Sequence, residues 1–355
     1  MPDDSIDEVY EAYYESGSTD GLPVIPPTDR RVDRMLEGTD LAPEMEIGRL
    51  GNRQGRLTVE TVAVNGVMAG CLPIHMPVLI AGARAQVAPG SEMIEASVGT
   101  DSSAHLFLLN GPIREVLDVN SDTGAFGPGF RSNQTIGRAL GLILQNTAGH
   151  HPGEQAMGVI GNPFKNTLVT GENERKTPWE PFHVERGYDD DENTITVTNV
   201  NCFVQSSNYG RNKTKTGILS RLVYNTPSQL GFRKGAVYVI SPANAHELRD
   251  VSKREVKEYI YENAVVPGES FSSPGKRRRT PDPEALNDVR RRVHDSPEEI
   301  EVVVAGGEGA WNAVLGPMEG GPTTVRIDLP DDWDALLDDY RSGLDRDWGQ
   351  PLHGE

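Results

Sequence analysis

Cys71 stands in Gly70-Cys71-Leu72-Pro73, between two helical patterns and a few residues before a helix start. Unpaired N–H groups and the dipole at a helix N-terminus favour the thiolate, the nucleophilic form of cysteine. His75 is close enough in sequence to serve as its base. The competing expectation is a small buried hydrophobe, the usual state of a free cysteine. A second group of reactive types, Glu172, Glu174, His183 and Glu185, lies between Gly171 and Arg186. If residues 182–186 are extended, His183 and Glu185 share a face as a proton-transfer pair or two metal ligands. A solvated surface strand is the alternative. No third ligand follows at metal-like spacing, so no metal site is assigned.

Gly124, Gly127 and Gly129 precede Arg131, Ser132 and Asn133 at the start of a helical stripe. Glycines let backbone N–H groups approach an anion, and a helix N-terminus with Arg131 would hold a carboxylate or phosphate. With Asn110 at the end of an apolar run, Gly127, Gly129, Arg131 and Asn133 make up the candidate substrate-binding set. No Lys-Ser/Thr pair follows, so this is neither a Walker A loop nor a GxGxxG; a plain glycine-rich connection competes with it. Gly306-Gly307-Glu308-Gly309 is half a dinucleotide fingerprint, and no cofactor is assigned from it. His150 and His151 follow Gly149 at a helix C-terminus, where imidazole interacts favourably with the last carbonyls, and a structural role is expected.

These residues need elements to position them. Val59, Val62, Ala63, Gly66, Val67 and Gly70 form a helical stripe, and Pro77 suits the first turn of the next helix. The stretch 61–83 carries no formal charge, yet its Asn, His, Pro and Gly content predicts a buried helix–turn–helix rather than a membrane span. Capping boxes at Ser5–Glu8 and Ser252–Glu255 open two more helices. AHLFLLN from Ala104 and AVYVI from Ala236 read as buried strands, the chain from 166 to 199 as mostly extended, and EVVVAGGEGAW as strand, turn and helix start. The expected fold is α/β, with mixed sheet flanked by helices and a smaller C-terminal strand–helix segment. Residues 1–266 form the main domain, 267–285 an exposed linker, and 286–355 a segment packing on the main domain. The sequence shows no internal repeat.

Fifty-three acidic against 34 basic residues give a net charge of −19, which disfavours nucleic-acid and acidic-membrane partners. The run Lys276–Arg279 is read as solvated linker charge. Only 8 of the 34 basic residues are lysine, a composition suited to a salt-rich, halophilic cytoplasm. Two cysteines 131 residues apart make no disulfide framework, and a cytoplasmic location is expected.

Several segments together resemble one family: DGLPVIPPTDRRVDRML (20–36), AVNGVMAGCLPIHMPVLIAGARA (63–85), LLNGPIREVLDVN (108–120), GAFGPGFRSNQTIGRAL (124–140) and GENERKTPWEPFHVERGY (171–188). The chain resembles the UGSC-motif-related proteins, a group without an established reaction that is linked to thiol or selenol chemistry. The resemblance implies importance for Cys71 within Ala69–Pro73. This sequence has no Sec/Cys-Gly-Ser-Cys stretch, so redox chemistry carried by that motif would require a separate partner chain. The leading expectation is an enzyme acting on a small anionic molecule, with Cys71 as nucleophile or redox group. Arg131 and Asn133 would hold the anion, and His183 with Glu172, Glu174 or Glu185 would move protons. The alternatives are a hydratase, lyase or hydrolase that uses His183 and the carboxylates with or without a metal, and a non-catalytic subunit. A homo-oligomer is compatible with each.

Overall fold

The computed structural model describes residues 4–91, 98–208, 213–226, 235–267 and 290–344. Apart from Pro267, the expected linker 267–285 lies outside the described residues, as does the Lys276–Arg279 run. Helix α1 spans Asp4–Glu15 and α2 spans Asp29–Leu36. A short hairpin of β1 (Glu46–Leu50) and β2 (Gly55–Thr58) leads into α3 (Val59–Ala69). Thr58 caps α3 by accepting from the N–H of Thr61, and Gly70 ends it at φ +89°, a left-handed conformation open to glycine. Pro77 sits in the first turn of α4 (Met76–Val87). Both helices are buried on nearly every side, which explains their uncharged sequence. Among the described residues no helix is long and apolar enough to cross a membrane.

The main sheet has six strands: β3 (Ala104–Asn110), β4 (Val169–Gly171), β5 (Thr194–Ser207), β6 (Ala236–Ile240), β9 (Ile300–Val304) and β10 (Trp311–Arg326). A separate two-stranded pair joins β7 (Val265–Pro267) to β8 (Arg290–Arg292). The order of the main sheet is β4-β3-β5-β10-β6-β9. Its two outer pairs are parallel and its three inner pairings antiparallel. The long strands β5 and β10 form a central ribbon, in register from Trp311 opposite Ser207 to Arg326 opposite Thr194, with one irregularity. Read from either edge the plan is the same: parallel pair, then long antiparallel strand. This repetition leaves no trace in the sequence.

Side-chain alternation shows how the sheet is covered. On β3, Phe107 and Leu109 pack with α3, α4 and α6 (Arg131–Ala148). On β6, Tyr238 and Ile240 pack with α7 (Lys215–Asn225) and α9 (Lys253–Asn263). The opposite faces, Leu106 and Leu108 with Val237 and Val239, join one third cluster, so the outer strand pairs fold toward each other. Backbone bonds stitch their C-terminal ends: Asn173 N–H to Val304 O at 2.7 Å and Gly306 N–H to Ser121 O at 2.9 Å. Between β3 and α6 lies α5 (Ile113–Val116); α8 (Pro242–Glu247) precedes α9, and α10 (Trp333–Leu344) comes last.

The α/β expectation holds, with helices flanking a mixed sheet. The C-terminal segment takes a larger part than a unit packed on a finished domain, since it supplies edge strand β9 and central strand β10. The turn Gly306–Gly309 leads into strand β10 and not into a helix. Residues 182–186 are not extended, because Val184–Arg186 forms a 3-10 turn closed by Gly187 at φ +87°.

Candidate functional site

The two glycine-rich turns that looked unrelated in sequence meet in one cleft of about 510 Å³. Thr123–Gly127 forms one lip and Gly306–Gly309 the other, beyond the C-terminal ends of β6 and β9. That is where open α/β sheets place ligands. The touch between the lips is tight: a Cβ on Gly307 would lie 2.2 Å from Thr123 Oγ1. Phe126, Phe164 and Phe203 line one wall, with ring centroids 5.3 Å (Phe126–Phe203) and 5.8 Å (Phe164–Phe203) apart. Trp311, 47% exposed, stands at the rim, and Gln205, Ser241 and Asn312 add polar groups. Asn312 is fixed in place, donating to Asn208 Oδ1 at 2.8 Å and accepting from Asn244 Nδ2 at 2.9 Å. Glu308 is the one charged residue of the lining among the described residues, and it pairs with Lys176 at 3.3 Å.

Behind this cleft, at the C-terminal ends of β3 and β4, lies a buried polar cluster. Asn110 Nδ2 donates to Glu172 Oε2 at 2.6 Å and to Glu174 Oε1 at 2.8 Å. Arg114 pairs with Glu174 at 2.7 Å, and the Phe182 N–H donates to Glu172 Oε2 at 2.7 Å. Phe182 packs in the same apolar cluster as Ala125 and Ala305, which line the cleft. Glu172 and His183 are both 0% exposed. Burial raises the Glu172 carboxyl above its ordinary range, against the opposing pull of Lys253. Two donors, the Asn110 amide and the Phe182 N–H, converge on Oε2. Among the described residues Glu172 Oε1, Asn110 Oδ1 and both ring nitrogens of His183 have no hydrogen-bond partner. Most buried polar atoms in folded proteins find a partner, so four open atoms on three residues set this region apart.

The structure thus brings Asn110, Glu172 and Glu174 together, with His183 beside Phe182, while the rest of the expected site disperses. Glu185 turns away to Lys253 and Lys257; burial alone would raise its carboxyl, but these lysines hold it below the ordinary range. The His183–Glu185 pair therefore does not form, because the 3-10 turn replaces the strand. Arg131 is spent on the carbonyl of Gly70 at 3.0 Å and Asn133 on the backbone of Asn120 and Val169. Gly127 directs its N–H to Gly124 O at 2.6 Å, and Gly129 does not line the cleft. The expected anion cradle is thus a structural staple for the loop. Cys71 lies elsewhere, in a smaller cavity under α10 with Met35 and Tyr340. Burial pushes its thiol up to about 12, outweighing the Thr135 hydrogen bond and Arg131. His75 offers it no base: Nδ1 accepts from the Leu72 N–H and Nε2 meets Ser132 Oγ. Cys202 is on β5, its thiol directed at Gly316 O.

No group of three or more His, Cys, Asp or Glu side chains that could hold a metal occurs among the described residues. The Gly306–Gly309 turn opens a strand, so it lacks the helix N-terminus on which a dinucleotide pyrophosphate rests. Sequence reasoning missed Phe126, Phe164, Phe203 and Trp311, which come from four distant segments with no common spacing. No family model matches the chain, and neither a curated protein nor a solved structure is significantly similar to it.

Proposed function

We propose that this protein is an acid–base enzyme of the hydratase, lyase or hydrolase type. Its substrate is a small molecule admitted through the aromatic cleft, with Glu172 as the proton-transfer carboxyl and His183 as its companion. The observation that carries this reading is Glu172: fully buried, its carboxyl raised above the ordinary range by burial, and its Oε1 without a hydrogen-bond partner among the described residues. The two places are linked through the backbone: Val304, two residues before the cleft turn, accepts from the N–H of Asn173, the residue after Glu172. Resemblance to UGSC-related proteins favours a thiol mechanism, but a cysteine with its pKa near 12 supplies almost no thiolate at neutral pH. Two cysteines 131 residues apart in the sequence suit a reducing cytoplasm.

The test starts from a thermal-shift screen of small metabolites, followed by turnover assays on the hits. Glu172→Gln is expected to lose turnover by about a hundredfold or more while still quenching Trp311 fluorescence on binding. Cys71→Ser is expected to keep turnover. A folded Cys71→Ser enzyme without activity, or a fully active Glu172→Gln enzyme, would overturn the proposal.

A further inference from the structure

A second cavity, of about 500 Å³, lies between the N-terminal segment, the C-terminal half of α6 and the start of β3. This is within the size range of small-molecule sites. Three histidines line it, His105, His150 and His151, together with Lys165 and Arg138; Asp20 is its single carboxylate among the described residues. Asp20 is already committed. Arg138 grips it through Nε and Nη2, both at 2.8 Å, and also donates to the carbonyls of Leu22 and Pro23. That pair cancels itself.

Lys165 is different. It ends the 3-10 turn Pro163–Lys165 and is half-buried, and no hydrogen bond or ion pair engages its ammonium among the described residues. The carboxylate that acts on it is Asp101, from beyond ion-pairing distance, and Asp101 is itself bonded to Asn201 at 2.8 Å. Half-burying a cation without a partner is unfavourable, and burial accordingly lowers its pKa. In a chain of net charge −19, an unpartnered, half-buried cation facing a cavity is suited to an anion from outside.

His105 adds a second requirement. Its Nδ1 lies 2.7 Å from Asn199 Oδ1. Asn199 Nδ2 donates to Ser91 O at 2.8 Å, so the amide orientation is fixed and Oδ1 must accept. The imidazole therefore carries its proton on Nδ1 and presents a lone pair at Nε2. Burial, with His150 and Lys165 nearby, keeps the ring neutral, its pKa near 4. An acceptor fixed in this way is matched by an O–H donor on the ligand. An ammonium would be repelled by Lys165, and a bare oxyanion would set oxygen against the nitrogen lone pair. Leu142, Leu144 and Pro152 give the rest of the wall an apolar character suited to a short carbon chain.

We propose that this cavity binds a small organic hydroxy acid, its carboxylate meeting Lys165 Nζ and its hydroxyl donating to His105 Nε2. The site is separate from the Glu172 cluster and does not rest on the enzymatic reading above. The paired His150 and His151, read from sequence as helix-end residues, here complete its basic lining.

Isothermal titration of the full-length protein tests this with three kinds of probe: lactate and malate, their hydroxyl-free counterparts propionate and succinate, and inorganic phosphate. The hydroxy acids are expected to bind at least tenfold more tightly than the counterparts. Lys165→Gln, which breaks no internal bond, is expected to weaken them at least tenfold, whereas Glu172→Gln leaves them unchanged. Long-range proton–nitrogen spectra should show His105 protonated at Nδ1 and its Nε2 resonance shifting on binding. Equal affinity with and without the hydroxyl, binding of phosphate alone, no binding at all, or an indifferent Lys165→Gln variant would each overturn the assignment.

Discussion

Among single residues, His294 offers the clearest dependence on pH. Its Nδ1 accepts from the Gly235 N–H and its Nε2 lies 2.9 Å from the Tyr238 hydroxyl, which in turn lies 2.7 Å from Thr226 Oγ1. The chain of donors is complete only with a neutral ring. Burial lowers the His294 pKa to about 4, against the pull of Asp295, and burial lowers those of His75 to about 3 and His105 to about 4. With folded pKa values below unfolded ones, the unfolded chain binds more protons between about pH 4 and 6.5. Stability is full above that window and falls as pH drops through it, by roughly 3 kcal/mol for a histidine shifted two units or more. Glu172 works in the opposite sense: with its pKa raised, its contribution is present below the unfolded value and is lost as pH rises. Denaturant midpoints at pH 7 and pH 4.5 should therefore differ in favour of pH 7, and a flat profile would count against the buried neutral histidines. Glu172→Gln should melt higher than the wild type at neutral pH, because it removes a buried acid from a site that gains nothing in stability from its ionisation.

At the scale of elements, the two lips of the cleft are set by close packing of glycine. Gly307→Ala would drive a methyl into Thr123, whose Cα is 3.1 Å from the new atom. The expected result is a displaced Gly306–Gly309 turn, with ligand binding in the cleft weakened about tenfold or more and the melting temperature changed little. A competition titration against any cleft ligand measures it. Elements with local signals were legible in the sequence. Ser252 and Glu255 form the anticipated reciprocal cap, at 3.2 Å and 2.7 Å, and AVYVI is a fully buried strand. Phe182–Arg186 misled because alternation over five residues fits a strand as well as a turn, and the flanking Pro181 and Gly187 were the better guides. In β10 the short apolar run Ala313–Leu315, buried on both faces of the sheet, outweighs the helix start suggested by the glycine turn. Asn133 was legible as important but not for what it does, since the three residues it bonds, Asn120, Ala125 and Val169, become neighbours only after folding.

For the whole molecule, the sheet order ties the last sixty residues of the chain to strands from its middle. Central strand β10 separates β5 from β6, so a chain ending at residue 299 would leave both without the neighbour that completes their hydrogen bonds. Such a truncation should give an aggregating product with no cooperative unfolding transition, and not a stable smaller domain; a soluble, cooperatively melting fragment would contradict the single-sheet account.

The same ribbon bears on how the protein is made. While the ribosome extends the chain, β5 emerges more than a hundred residues before β10, so that after pairing with β3 its other edge stays open. At about 5–20 residues per second the nascent chain waits for several seconds or longer in that state. A density of carboxylates that keeps unfinished chains apart is then an asset during synthesis as well as in the finished protein.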